Sequence, residues 1–542
     1  MPSSAALESL RGEFRGNVFR DVDGFLAKYF EHKLSSATLQ HMMQAEAVSK
    51  LSVDVIGLDH FDALEEWLTT LQSLFISPDQ TNLRFRSQQI SKPGFPLSAS
   101  IYLETVDVQA ITGSTRVLGE YHQASAMTDD DSDFLCFCAH VGQVFNAQSA
   151  RRFLHAFLIR GTTLELWVFD RSGAYSSEKF DLAQKPGRLV QTLAGYIMMS
   201  DEEAGLNTFV KHLGSDGFVT FGQRDKLYLR PKLIAAPDYI VGLGTTCYAA
   251  SQSTTGEPGM VVKFSWREGP THAEIQQLER ARVIQLLGDE DLVSVADLRH
   301  GLRFPQPFVN RTLSCVATAP LGRPIQKFTS ITELLEVLRD LVKALRSLYV
   351  DGRILHRDIA IKNLIIPTQH STDSPRGVLI DFDQAPDLDN VRAVEPLVGS
   401  DGFMAVGILS GRPHTYRHDL ESLFYVLLWF AIGNDRENAE ANDILEGLPK
   451  TSRLWKWCSM DFAGIGRDKA TDMSPEGFLG ILDEFSADFA PLRGLAKELH
   501  ALLFPVRDGK IFTGTETEQA AVERLYSNMA DAFNRSALVL LN

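Results

Sequence analysis

Residues 354–385 hold two strings whose residue types could do chemistry together, ILHRDIAIKNLIIP and VLIDFDQA. In the first, Asp358 follows His356 and Arg357, and Lys362 and Asn363 stand four and five residues further on. In the second, Asp381 ends the apolar run Val378-Leu379-Ile380 and leads into Phe382. A carboxylate, an amide and a second carboxylate in this order suit phosphoryl transfer. Asp358 would orient an attacking hydroxyl and accept its proton, while Asn363 and Asp381 would hold the Mg²⁺ ions that neutralise a triphosphate. A His-Arg-Asp triplet alone fits a surface turn equally well, so the weight lies with the residues that accompany it.

Upstream lies IVGLGTTCYAA (Ile240 to Ala250), with Gly242 and Gly244 between apolar flanks, and then MVVKF, a β-branched run that carries Lys263. Glycines let a backbone approach phosphates closely. Lys263 would contact the α- and β-phosphates and pair with a Glu on the next helix. The helical stretch THAEIQQLERARVIQLL offers Glu274 or Glu279 for that pair. The chain order of glycines, lysine, His-Arg-Asp, Asn and Asp-Phe matches the protein-kinase signature set, with ATP and Mg²⁺ as cofactors.

These residues need elements to position them. Ser330 and Glu333 form a capping-box pattern before a helix from about Ile331 to Tyr349, whose face Leu334, Leu338, Leu341, Leu345 and Leu348 is apolar. That helix runs into the His-Arg-Asp loop. HDLESLFYVLLWF (His418 to Phe430) is apolar on every face, which predicts a buried helix with Asp419 at its start, bonded to the catalytic-loop backbone. Residues 20–76 show helical spacing. IYLETVDVQAI and RFLHAFLIRGTTLELWVFDRSG read as strands, RLVQTLAGYIMM as a helix, and Thr517 to Phe533 as a last helix. Trp167 and Phe169 alternate with Val168, predicting a strand packed on both faces, with Asp170-Arg171-Ser172-Gly173 as a turn. TDDDSD (Thr128 to Asp133) reads as a solvated acidic turn, and Cys136-Phe137-Cys138 as part of a strand with both thiols on one face.

Length and composition bound the class. A chain of 542 residues with 44% hydrophobic and 23% charged residues is an ordinary globular protein of more than one domain. Its formal charge of −16 argues against nucleic-acid and anionic-membrane partners. Five cysteines without framework spacing read as free thiols in a reducing, intracellular compartment, cytoplasmic or nuclear. The N-terminus shows no apolar signal core. The expected fold is α+β: a two-lobed protein-kinase-like fold after an N-terminal helical and mixed α/β module. The expected domains are 1–85 helical, 86–225 accessory, 226–325 small lobe, 326–505 large lobe and 506–542 helical tail.

LWVFDRSG, VVKFSW, LHRDIAIKN, LIDFDQA, GSDGFMA and HDLESLFYVLLW resemble the fungal-type protein kinase family over roughly residues 150–430. The resemblance implies a two-lobed kinase domain, ATP, Mg²⁺ and nominal Ser/Thr phosphorylation of protein substrates. It favours Glu274 as the Lys263 partner, because the family places its Glu soon after the Ser-Trp pair. The sequence departs from the general kinase pattern in several places. Cys247 stands for the third loop glycine and Asp383 for the glycine after Asp381-Phe382. Ala360 stands where Ser/Thr kinases carry a γ-phosphate lysine, a charge that Lys362 would supply. In GSDGFMAVG, Ser400 takes the platform position that hydrogen-bonds the catalytic Asp, and Val406-Gly407 replaces Pro-Glu, which weakens the expected tether of the substrate platform.

Gln384 to Gly399 contains no hydroxyl, so a carboxylate among Asp387, Asp389 and Glu395 is expected to pair permanently with Arg357, where many kinases use a phosphate. A pseudokinase acting as an ATP-binding scaffold and a small-molecule kinase are the alternative readings. Arg357 and the Phe403-Met404-Ala405 platform favour a protein substrate over a small one. The N-terminal module is expected to be non-catalytic and to dock on the small lobe or on a protein partner.

Overall fold

The computed structural model describes the chain except residues 1–3, 44–60, 76–82, 91–96, 106–113, 124–129, 214–215, 269–283, 370–373, 383–398, 401, 434–446, 459–460 and 542. It is a mixed α+β protein that divides into two compact units. The first comprises Met1–Glu257, Val262–Pro270 and Asp289–Val316, and the second Pro258–Val261, Thr271–Gly288 and Ala317–Asn542.

Two sheets build the first unit. One consists of β1 (Val18–Phe19), β2 (Leu83–Gln89), β3 (Ser98–Thr105), β4 (Ser114–His122), β5 (Phe153–Arg160), β6 (Thr163–Asp170), β7 (Gly173–Ser176) and β8 (Phe180–Asp181), ordered β1-β7-β6-β5-β4-β3-β2 with β8 beside β6. Helices α1 (Ser4–Phe14), α2 (Ser36–Met43), α3 (Phe61–Phe75), α4 (Asp130–Ala147) and α5 (Pro186–Met198) pack on it. Every β6 residue after Thr163 is buried. Leu166 and Val168 enter one core with α3 and α5, and Trp167 and Phe169 enter the opposite core with α1 and α4, as the period of two dictates. β4 and β5 run parallel, so the chain must cross over between them, and α4 does so.

This crossover corrects the reading of residues 130–138. From Asp130 the acidic run lies in a helix, not a turn. Phe134, Phe137, Cys138, Val141, Val144 and Phe145 recur at three- and four-residue spacing and are buried. Cys138 is buried while Cys136 is half-exposed, so the two thiols do not share a face. Short apolar runs rich in Phe and Cys favour a strand locally, and the need to link two parallel strands overrides that preference.

The second sheet has β9 (Lys211–Leu213), β10 (Asp216–Val219), β11 (Leu227–Ala235), β12 (Thr246–Ser251), β13 (Met260–Arg267), β14 (Gln285–Ser294) and β15 (Thr312–Ala319), in the order β14-β15-β13-β12-β11-β10-β9. It is joined to the first sheet by the connection from β14 to β15, which begins with the short helix α6 (Val295–Leu298). Leu298, Leu302, Phe304 and Phe308 of this connection pack on the α3–α5 core. Arg299 is buried and forks onto Asp170 at the end of β6, with Nε to Oδ2 and Nη2 to Oδ1 both 2.8 Å. Its guanidinium lies 4.4–5.5 Å from the ring centroids of Phe19, Tyr175, Phe304 and Phe308.

In the second unit, α7 (Ile331–Arg346), α8 (Val406–Leu409), α9 (Tyr416–Ile432), α10 (Phe462–Asp472), α11 (Pro475–Asp483), α12 (Arg493–Leu503) and α13 (Gln519–Leu541) accompany a small sheet of β16 (Gly322–Pro324), β17 (Leu364–Pro367) and β18 (Val378–Leu379). All residues of α9 are buried. Ser330 caps α7 by accepting from the Glu333 amide (3.1 Å). The Glu333 carboxylate reaches back one residue further than a capping box requires, to the Thr329 amide (2.6 Å) and to Arg323 (2.6 Å). The final helix runs eight residues beyond Phe533, and Glu523 on it forks onto Arg346 of α7 (2.6 and 2.7 Å).

Two outcomes are expected. Arg299→Met leaves the Asp170 carboxylate buried without its cation and should cost about 3–5 kcal/mol in urea unfolding of the first unit. His155 is fully buried beside Tyr29 and Tyr196, and its Nε2 donates to the Glu203 carbonyl (3.1 Å). Burial, with Arg151 close by, pushes its imidazole down to about 3. The unfolded chain therefore binds the extra proton between about pH 6.5 and 3. Stability should fall as pH drops through that window, by up to about 1.4 kcal/mol per pH unit. His155→Gln should lack this part of the pH dependence when urea midpoints at pH 4.5 and 7 are compared.

Candidate active site

Arg357 has φ +69° and Asp381 φ +67°, a region that costs a side-chain-bearing residue free energy. One buried carboxylate holds the first of these turns. Asp419, in the first turn of α9, accepts from the successive amides of His356 (Oδ2, 3.0 Å) and Arg357 (Oδ1, 3.0 Å), and Oδ1 also meets His414 Nε2 at 2.9 Å. Successive amides aimed at one anion form a backbone nest. Burial alone would raise the Asp419 carboxyl. The adjacent His414 and His356 outweigh it and hold the group below the ordinary carboxylate range.

The His356 ring joins the two loops. Its Nδ1 accepts from the Asp358 amide (3.4 Å), so Nε2 carries the proton and donates to the Ile380 carbonyl (3.2 Å). Phe382, also buried, lies with its ring 5.1 Å from that imidazole. Strands β17 and β18 pair antiparallel with Leu364 opposite Leu379, and the Ile380 amide donates to the Asn363 carbonyl (3.0 Å). That register brings Asn363, which precedes β17, and Asp381, which follows β18, to the same end of the ribbon.

Asp358 is 9% exposed and surrounded by donors. Ser400 Oγ donates to Oδ1 (2.6 Å), Asn363 Nδ2 to Oδ2 (3.0 Å) and to the Asp358 carbonyl (2.8 Å), and Lys362 Nζ lies 3.3 Å from Oδ2. Burial works against the charge, but the Ser400 hydroxyl and the Lys362 ammonium prevail and keep the carboxyl below its usual range. Both Nδ2 bonds of Asn363 go to one residue, which fixes the amide orientation and turns Oδ1 away from Asp358. Beside this carboxylate is a narrow, tightly packed recess lined by Arg357, Asp358, Ser400, Phe403, Met404 and His414.

The segment from Gly399 to Leu409 forms one wall of that recess, and its fastening went unread in the sequence. Lys469 of α10 is buried and donates to the carbonyls of Gly402 (2.8 Å) and Met404 (2.7 Å), its ammonium 4.4 Å from the Tyr425 ring centroid. Glu421 of α9, fully buried, accepts from the Val406 amide (2.7 Å) and the Tyr425 hydroxyl (2.7 Å). It also pairs with Arg417 (2.6 Å), which donates onward to the Leu503 carbonyl. Gly407 needs to be small, since a Cβ there would sit 2.3 Å from His418 Nε2. The expected weakening at Val406-Gly407 is thus offset by a carboxylate on the facing helix. Glu421 stands in the HDLES string, so its position was readable and its partner was not. Lys469 lies in an ordinary polar helix without any motif.

In the first unit, Gly242 (φ +139°) and Gly244 (φ +53°) lie in the connection from β11 to β12. Lys263 on β13 is half-buried and points to the face opposite the buried Val262 and Phe264. Glu274 and Glu279 lie outside the described residues, as do Asp383, Asp387, Asp389 and Glu395. Among the described residues no cluster of three or more His, Cys, Asp or Glu forms a metal cage, and no helix is long and apolar enough to cross a membrane.

Glu421→Gln keeps the side-chain volume but leaves the Arg417 charge buried without its anion. It should cost about 3–5 kcal/mol and accelerate hydrogen exchange at the Val406 amide, read by exchange mass spectrometry on the peptide spanning 402–409.

The chain also matches a family model described as fungal protein kinase, over residues 102–431. That span is more than half of the chain and runs from β3 of the first sheet to the end of α9. A match of that extent, on a protein-kinase-like α+β fold, shows that the chain belongs to the fungal protein kinase family.

Proposed function

We propose that the protein transfers the γ-phosphoryl group of ATP, with Mg²⁺, to Ser or Thr hydroxyls of protein substrates. The observation that carries this reading is the Asp358 carboxylate. It is nearly buried, kept ionised, and fixed by Ser400, Asn363 and Lys362. An ionised, low-pKa carboxylate is a weak base, so its main task is to orient the substrate hydroxyl and take its proton as the new bond forms. In this reading Lys362, exposed and 3.3 Å from that carboxylate, would meet the charge that develops on the transferring phosphoryl oxygens.

The residues present suit a hard cation. Asn363 offers an oriented amide oxygen and Asp381 an exposed carboxylate at the same end of the β17–β18 ribbon. Mg²⁺ in such sites takes one or two protein oxygens and draws the rest from phosphates and water. When bound, it would neutralise the triphosphate. In this reading Gly242 and Gly244 approach the phosphates, Lys263 contacts the α- and β-phosphates, and Glu274 pairs with Lys263. His356, Arg357, Phe382 and Asp419 hold the loops in register.

The test uses purified full-length protein with radiolabelled ATP and generic protein substrates. Asp358→Asn should lower transfer by about 10²–10⁴-fold while Mg-dependent stabilisation by nucleotide persists in a thermal-shift assay. Asp381→Ala should abolish detectable transfer, and Lys263→Met should slow it by orders of magnitude. A wild type that shows no Mg-dependent nucleotide stabilisation would overturn the reading. Binding without transfer would leave a nucleotide-binding scaffold.

A further inference from the structure

The glycine loop of the first unit is gripped by side chains from the N-terminal part of the chain. Ile240, two residues before Gly242, is 1% exposed and sits in the core built by α1, α4 and the eight-stranded sheet. At the end of α1, Glu13 Oε1 accepts from the amides of Ile240 (2.5 Å) and Val241 (2.6 Å). Arg171, in the turn between β6 and β7, holds the other edge. Its Nη1 donates to the carbonyls of Tyr239 (2.9 Å) and Ile240 (3.1 Å), and Nη2 donates to the Ser149 carbonyl (3.1 Å). The Arg171 carbonyl in turn accepts from the Gly242 amide (2.9 Å). The next residue, Leu243, accepts from the Trp266 amide at 2.6 Å, three residues beyond Lys263.

Gly244 rests on the Arg171 side chain, where a Cβ would lie 2.5 Å from Nε, and Nε itself makes no hydrogen bond. The guanidinium is fully buried, with the Phe145 ring centroid at 4.7 Å. Although burial lowers its pKa to about 10, it remains a cation at neutral pH. A loop that must be ordered before it can grip phosphates loses affinity to conformational entropy, and a loop ordered beforehand does not.

We infer that Glu13 and Arg171 are positioning residues for ATP: they preset the Gly242–Gly244 backbone for the triphosphate, which makes the N-terminal module part of the nucleotide-binding machinery. This rests on the kinase reading above. Glu13 and Arg171 bond backbone groups of the loop segment 239–242, so their effect is expected on the phosphates that the loop backbone would meet.

The experiment measures binding of MgATP and of adenosine to full-length wild type, Arg171→Lys, Glu13→Ala and Glu13→Gln, together with hydrogen exchange over residues 239–246. Arg171→Lys keeps the charge but loses the fork. Both it and Glu13→Ala should raise the Kd for MgATP by about tenfold or more while adenosine affinity stays unchanged. Glu13→Gln, which keeps an acceptor oxygen, should retain most of the affinity. The Ile240 to Gly242 amides should be protected in the wild type and exchange faster in Arg171→Lys and Glu13→Ala. Glu13, at the half-buried end of α1, serves as the second variant should Arg171→Lys fail to fold. Equal MgATP affinity across the folded variants, or a parallel loss for adenosine, overturns the inference, as does fast wild-type exchange at these amides. A wild type that binds no nucleotide removes the kinase reading. The positioning role goes with it, and protected amides would then mark a structural joint only.

Discussion

The buried Asp419 carboxylate is the constraint on which the candidate active site depends. It takes two successive amides at the start of the His-Arg-Asp loop and a histidine from the segment that precedes its own helix. Removing a charge from water is tolerated only where fixed donors replace the lost hydration. That requirement runs outward. The amides can face the carboxylate only with Arg357 in the left-handed region, and that turn sets the direction in which Asp358 leaves the loop. The depth of α9, buried along its full length, supplies the rigidity against which the arrangement is held.

The same helix shows how a kinase fold keeps a fastening while changing the residue that provides it. The sequence after Ala405 lacks the Pro-Glu pair, and Gly407 leaves space that the His418 ring fills. A carboxylate on the facing helix, Glu421, grips the Val406 amide. Gly407 and Glu421 are thus two halves of one solution. A side chain restored at 407 would collide with the histidine that lies one turn before Glu421.

Local patterns made much of this legible. The alternation in LWVFD placed Leu166 and Val168 against Trp167 and Phe169 because a strand buried on both faces can read in no other way. HDLESLFYVLLWF, apolar on every face, became a helix with no exposed residue. The spacing of His356, Asp358, Asn363 and Asp381 located a loop cluster, because two short strands paired antiparallel return the chain to the same end. What could not be read depends on partners distant in sequence. The Cys136–Cys138 stretch turned on whether two strands were parallel. The Lys469 contacts turned on a helix about 65 residues away. Arg171 was visible only as a turn residue, since its partners lie near residue 240.

The threading of the β14–β15 connection through the N-terminal core has a consequence for biogenesis. Leu298, Leu302, Phe304 and Phe308 are walls of a core whose other members lie before residue 205. A ribosome that has finished α5 has therefore released a domain with one side missing. At roughly 5–20 residues per second, closure waits on the order of ten seconds for the connection to emerge. Through that interval the aromatic rings of Phe19 and Tyr175 lack their cover, and Asp170 lacks its arginine. Apolar surface left uncovered at this stage makes a nascent chain prone to aggregation. The order of synthesis, as much as the finished contacts, then decides how much of the protein reaches its native state.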